Sequence, residues 1–487
     1  MPRRRYQPTS HETFSHAEVD SWAYDWTRVA NPGITPKRPL KVYLPRTTQE
    51  VSDIMREVKA LRDAGLCPAE RPIHIRGKGH SSNDLVLTDR GAVLCTDYLN
   101  RIVELTGRMV TLESGAILAE VDAYLGRQGY GLPVIGDHNH ITAGGFASVG
   151  GVSPASNRYG LFIDNVEELE YVDWNGEHVR CNRKTNEHDF HRVLAGTGQF
   201  GVITTLKCRV IPVDKRRTIL ENERTITRKL DRFLEVTSRI VQNPGDAVME
   251  RGVWLDVPIA GKPFVIGQCS AYHETQPSWI KSLRNRVAHG FLHGLGYVAG
   301  RLPRLLDLFV MYLGVIGVIV SPRFASIKNI EVFIDKILDS TVGDPSRMLI
   351  VFAPADRYKV IFEELYKLCR EYRAKTGCFT FLSFYVKGIV SPYLSGAGSP
   401  HRPPNARTDF CELVLWLGVR PENLPEALLE KIVSDIDDFC IKQNAFRYMH
   451  TRTVTGERRA WIDPNTFWHG PREEVARASW RAAAGRR

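Results

Sequence analysis

The segment Arg76-Gly77-Lys78-Gly79-His80-Ser81-Ser82-Asn83-Asp84 follows a short β-type run, Pro72-Ile73-His74-Ile75, and constrains the fold more than any other stretch. Gly77 and Gly79 carry no Cβ, so the backbone there can turn sharply and approach a ligand closely. Successive amide N–H groups in such a turn can form a concavity suited to a pyrophosphate. His80 is the unexpected member, because a phosphate cradle has no need of an imidazole. A nucleophilic ring nitrogen beside a cofactor loop points to a cofactor bonded covalently to the chain. The plainer alternative is a histidine that only hydrogen-bonds the cofactor.

Two further blocks share this glycine-rich pattern. Residues 136–160 read GDHNHITAGGFASVGGVSPASNRYG, too polar and glycine-rich for a core element and too regular in small residues for a linker. Residues 196–201, GTGQFG, run directly into strand-like Val202–Val210. Around these blocks short β and helical patterns alternate. Lys41–Leu44 reads as a strand. Thr47 caps a helix to Leu61, with Glu50 completing a capping box and Val51, Ile54, Val58 and Leu61 at helical spacing. Ala92–Cys95, Ile102–Leu105, Met109–Glu113 and Val166–Val172 read as strands, and Ala116–Tyr130 as a helix. The order predicts an α+β fold.

With 487 residues the chain should hold two or three domains or subdomains. The glycine-rich pattern stops near 215. Beyond it lie longer amphipathic segments, with strands expected at Gly252–Val257, Phe264–Gly267 and Met348–Phe352, a helix at Leu424–Gln443, and a short β-like end at Arg459–Pro464. Apolar and charged fractions of 43% and 25% are those of a soluble globular protein. The net charge of +10 lies partly in arginine-rich tails and comes with no recognition motif, so no nucleic-acid partner is expected. The nine cysteines include no CxxC pair and no zinc spacing, which fits buried free thiols in a reducing, cytoplasmic setting. The N-terminus lacks the apolar segment of a signal peptide. His138 and His140 lack a third ligand at suitable spacing, so no metal is expected.

The three blocks RGKGHSSND (76–84), GDHNHITAGGFASVGG (136–151) and GTGQFGVIT (196–204) agree in order and spacing with one family. The chain resembles the flavoprotein oxidoreductases with the vanillyl-alcohol-oxidase / p-cresol-methylhydroxylase (PCMH) type of FAD domain. RYGLFIDNVEELEYVDWNGE and LAGTGQFGVIT are most similar to cytokinin dehydrogenases, whereas GHSSNDLVLTD resembles aldonolactone and alditol oxidases. The resemblance implies a two-part FAD domain formed by 1–213 (main part 38–213) and 430–487, with an α+β cap at 214–429. It implies that Gly77, Lys78, Gly79 and Ser81 cradle the FAD pyrophosphate, with Arg76 and His80 also binding the cofactor. His80 falls where many members carry the histidine bonded to the flavin. Thr142, Gly144, Gly145, Ser148 and Val152 would line the flavin and its phosphates, and Ile203 would pack near the adenine end. Asp137 falls where cytokinin dehydrogenases place an active-site aspartate. Burial would raise its pKa, and it would accept a substrate N–H or O–H proton while hydride leaves the adjacent carbon; capping the glycine-rich turn is the alternative. His138 and His140 would be polar substrate-pocket residues.

The expected activity is hydride transfer from a small-molecule CH–NH or CH–OH group to FAD, with oxygen or a quinone-like compound reoxidising it. An amine or prenylated purine-like substrate comes first, then a lipid-linked sugar, then a free sugar, lactone or polyol; a catalytically silent flavin-binding scaffold is the reading of another class. The C-terminal His-Trp-x-Lys motif of aldonolactone and alditol oxidases is absent. What stands there, Tyr448-Met449-His450-Thr451 and Arg458–Pro464, resembles a degraded form of the closing strand of polyprenyl-phosphoribose oxidases. In it His450 and Arg452 would reach the flavin N1–C2=O side. Leu308–Val320 is an uncharged run of thirteen residues, too short for a bilayer span of about 20. It reads as cap core, or alternatively as a membrane-surface or lipid-substrate contact near the basic residues Lys281, Arg284, Arg286, Arg301 and Arg304.

Overall fold

The computed structural model describes residues 37–81, 85–137, 140–259, 262–299, 315–331, 346–395, 409–451, 453 and 458–468. Trp22, Trp26, both arginine-rich tails, Ser82–Asp84, His138, Arg301, Arg304, residues 308–314 and Arg452 lie outside the described residues.

Among the described residues the fold is α+β, built on three sheets. Strands β1 (Lys41–Tyr43), β2 (Ile73–Arg76) and β3 (Ala92–Cys95) form a small parallel sheet in the order β1-β3-β2. Helix α1 (Thr48–Asp63) packs on it through Val51, Ile54, Met55 and Val58. Thr47 Oγ1 accepts from the Glu50 amide at the start of α1, while the Glu50 carboxylate accepts from the Arg46 amide. The predicted cap therefore forms, with its return bond displaced by one residue.

A five-stranded antiparallel sheet follows: β4 (Ile102–Thr106), β5 (Met109–Glu113), β6 (Val166–Val172), β7 (His178–Asn182) and β8 (Val202–Arg209), in the order β4-β5-β8-β6-β7. Helix α2 (Leu118–Arg127), shorter than its sequence pattern, covers it with buried Leu118, Val121 and Leu125. The five-residue helix α3 (Ala143–Ala147) sits inside the second glycine block.

The remaining strands build one eight-stranded antiparallel sheet. They are β9 (Ile219–Thr227), β10 (Met249–Ile259), β11 (Lys262–Glu274), β12 (Phe324–Ser326), β13 (Ser346–Pro354), β14 (Phe379–Val390), β15 (Asp409–Val419) and β16 (Phe446–Arg447), in the order β12-β9-β11-β10-β14-β15-β13-β16. Strict alternation divides its two faces. Leu349, Val351, Phe384, Val386, Leu413 and Leu415 point into a core shared with helices α4 (Leu230–Gln242), α6 (Tyr358–Thr376) and α7 (Glu426–Gln443). Met348, Ile350, Tyr385, Lys387, Glu412, Val414 and Trp416 face the other way, into a cleft. Helix α5 (Trp279–Ala299) packs at the β12/β9 edge.

Two expectations are corrected here. The boundary at 430 fails, because α7 buries Leu429, Ile432, Val433, Ile436 and Cys440 beside the eight-stranded sheet and β16 pairs with β13. An apolar stripe of that length needs a sheet to cover it, so the chain returns to the glycine-rich half only from Tyr448 onward. There the Gly151 amide donates to Tyr448 Oη, and the Asn465 side-chain amide donates to the Leu194 carbonyl. Arg459–Pro464 is not β-like either: Arg459–Ile462 is a helical turn, with Arg459 paired to Asp463 four residues on.

Candidate functional site

A cleft runs between the loops of the glycine-rich half and the open face of the eight-stranded sheet. The space between the two sides is about 1610 Å³, counted out to its open mouth. Residues within 77–81, 136–137, 141–152 and 197–203 supply one side, and β13, β14 and β15 the other.

The loop side is a backbone cradle. A Cβ on Gly77 would stand 2.2 Å from Thr142 Oγ1, so only glycine lets the first and second blocks meet. Gly79 has φ +70°, a left-handed conformation that favours glycine. Thr142 caps α3 by accepting from the Gly145 amide at 3.2 Å. Thr197 adopts φ +52°, an unusual conformation for a non-glycine residue. Its amide donates to the Ser148 carbonyl and its Oγ1 accepts from Arg459, which together hold the third block against the second. Three hydroxyls on the cleft wall, Ser81 Oγ, Thr96 Oγ1 and Ser114 Oγ, are buried and have no hydrogen-bond partner among the described residues. Buried polar atoms are rarely left so, and a polar ligand would satisfy them.

The sheet side is apolar, with a charged group set into it. Lys387 on β14 lies directly opposite Glu412 on β15 and pairs with it at 3.1 Å. The Lys387 ammonium also reaches across the cleft to the Asp137 carboxylate. Lys387 and Glu412 side chains are 5% and 3% exposed, against 28% for Asp137. Burial opposes the charge on Lys387, yet the two carboxylates outweigh it and hold the ammonium above its ordinary range. Burial pushes Glu412 up, with Lys387 pulling the other way. His450 completes this end. Burial, reinforced by Lys387, lowers it to about 4, which leaves it neutral near pH 7. Its ring lies 4.6 Å from that of Tyr448, tilted by 53°. The Trp416 indole N–H is buried here without a hydrogen-bond partner among the described residues.

The cleft gathers Gly77, Lys78, Gly79, His80, Ser81, Asp137, Thr142, Gly144, Gly145, Ser148, Val152 and Ile203, from blocks far apart in sequence. His450 lines it too. Arg76 does not: it ends β2, with its guanidinium folded over Gly79. Lys78 pairs with Asp97 at 2.5 Å. His140 is exposed and does not line the cleft, contrary to the substrate-pocket expectation. Asp137 is joined to a buried ammonium, so an ion pair and not burial alone governs its surroundings. Lys387, Glu412 and Trp416 were not singled out by sequence reasoning. The available signal was Lys387 as the one charged residue of β14 and Glu412 within the apolar run of β15, since lysine and glutamate are seldom fully buried unless paired.

A cleft with a glycine backbone cradle at one side and orphaned hydroxyls along it suits a phosphate-bearing cofactor. The comparisons name that cofactor. Residues 39–182 match the family described as FAD binding domain, so the glycine-rich half carries an FAD-binding domain. It is 32% identical over 173 residues to an uncharacterized oxidoreductase of the fasciation locus of Rhodococcoides fascians, covering 36% of this chain and 38% of that protein. It is 30% identical over 178 residues to cytokinin dehydrogenase 1 of Arabidopsis thaliana, covering 36% and 30%. With cytokinin dehydrogenase 2 of the same plant it shares 27% over 212 residues, covering 42% and 41%. The likeness thus spans less than half of each relative. No helix among the described residues is long and apolar enough to cross a membrane.

Proposed function

We propose that the chain is an FAD-dependent oxidoreductase that oxidises the CH–NH group of a largely apolar small molecule. The observation that carries this reading is the Asp137–Lys387–Glu412 group, set into the apolar wall of the cleft that also holds the dinucleotide cradle. Bound FAD supplies the acceptor for the hydride that leaves the substrate carbon. The chain's part is to place that carbon and take up the proton. Met348, Ile350, Tyr385, Val414 and Trp416 offer an apolar wall against which such a substrate packs. Asp137, positioned by its ion pair with Lys387, accepts the nitrogen-bound proton as CH–NH becomes C=N. An N–H donor suits this end, where Asp137 and Glu412 both offer carboxyl oxygens as acceptors and His450 is neutral near pH 7. Relatives named cytokinin dehydrogenases support dehydrogenation as the reaction.

His80 lines the cleft within the cradle loop, and in this reading its ring nitrogen carries FAD covalently. The purified protein should keep its flavin colour in the pellet after acid precipitation, and His80→Ala should release it. Flavin released by acid from the parent protein removes the covalent bond. Colourless protein after expression with ample riboflavin removes the flavoenzyme reading itself. Asp137→Asn should keep flavin yet slow anaerobic bleaching by an amine donor about 100-fold or more; unchanged bleaching takes Asp137 out of the reaction.

A further inference from the structure

Helix α5 is turned inside out. Trp279, Ile280, Leu283, Val287 and Phe291 share one face and are exposed, Trp279 to 74% and Val287 to 65%. The opposite face is polar and buried. Asn285 Oδ1 accepts from the Ser326 amide and from the Asn329 side chain, and His289 is buried one turn on. Hydrogen bonds to the β12 region therefore fix the helix with its apolar stripe outward. Gly290 and Gly294 are exposed, and a Cβ on either would meet nothing within 4 Å. A soluble helix normally buries such a stripe.

Charge identifies what covers it. Arg284 and Arg286 are exposed on either border of the stripe. From Thr275 to Leu306 the sequence has five Lys or Arg and no Asp or Glu. A second copy docking here would set these cations against their own kind with no acidic side chain on the helix to pair them. An anionic lipid surface meets both demands, taking the apolar side chains below its headgroups and the arginines among them. We propose that α5 is a peripheral membrane-binding element that seats the protein on anionic bilayers.

Flavin-loaded full-length protein should be sedimented with vesicles of phosphatidylcholine alone and of phosphatidylcholine mixed with phosphatidylglycerol. Binding is expected to the mixed vesicles, falling as salt is raised. The pair Val287→Ser and Phe291→Ser, with flavin content as the check on folding, should weaken it about tenfold or more. Arg284→Ser with Arg286→Ser should reduce the preference for anionic vesicles. No binding of the parent to either vesicle, or equal binding by parent and Val287→Ser/Phe291→Ser, overturns the proposal. So does a concentration-dependent dimer in vesicle-free solution that those serines abolish, because that assigns the face to a second copy.

Discussion

Lys387 is the residue on which the chemistry of the site turns. It sits between a carboxylate of its own sheet and one from the glycine-rich half, buried enough that solvent screens neither pair well. Its positive charge favours the ionised form of Glu412, against the burial that raises that acid. Replacing it with Met removes that support, so Glu412 holds its proton to higher pH. If turnover needs Glu412 ionised beside the ammonium, the acidic limb of the bleaching rate should move upward in Lys387→Met. Lys387→Arg should largely retain the parent profile. An unmoved profile in a Lys387→Met protein that still binds flavin would show that the Lys387–Glu412 pair does not set the pH dependence of the reaction. His450 behaves differently: burial keeps it neutral, so it adds no cation to this end near pH 7.

At the scale of elements, the loops were far more legible than the sheet. RGKGHSSND and the block after Gly136 demand glycine for reasons written in the backbone, and the structure brings them together at Gly77 and Thr142. The contact is tight enough to test. Gly77→Ala should displace the Thr142 side chain that caps α3 and weaken flavin retention by about 1–3 kcal/mol, read as the flavin-to-protein ratio after dialysis on a His80→Ala background. The strands of the eight-stranded sheet gave less away. FLSFYVKGIV and CELVLWLGV are apolar on both faces, since one meets helices and the other meets the cleft. Periodicity cannot say which face is which, and the pairing of Lys387 with Glu412 depends on a register between strands distant in sequence. The helical turn at Arg459 was missed for a related reason: four residues are too few to show a helical period.

Across the whole molecule, the glycine-rich half and the eight-stranded sheet are fastened by buried charge as well as by apolar packing. Lys215, beyond the last strand of the five-stranded sheet, pairs with Glu331 at 2.6 Å and with Asp122 of α2 at 3.4 Å, all nearly inaccessible. Burial pushes Glu331 up to about 7 despite its cation. Lys215→Met leaves two buried carboxylates short of that partner and should lower stability by about 3 kcal/mol, measured by urea unfolding of the flavin-loaded protein. A loss below ~0.5 kcal/mol would mean that the cluster contributes little to holding the halves together. A second fastening lies at Asp164, whose carboxylate accepts from Ser391 Oγ and from the Leu161 and Tyr393 amides, with burial raising it to about 6. The alternation along β13, β14 and β15 has a further consequence, for how such a protein changes over generations. Positions 348, 350, 385, 387, 412, 414 and 416 face the cleft, while their immediate neighbours in the chain face the helices. Selection can rewrite the first set to suit a new substrate and leave the second set, which keeps the protein folded, untouched.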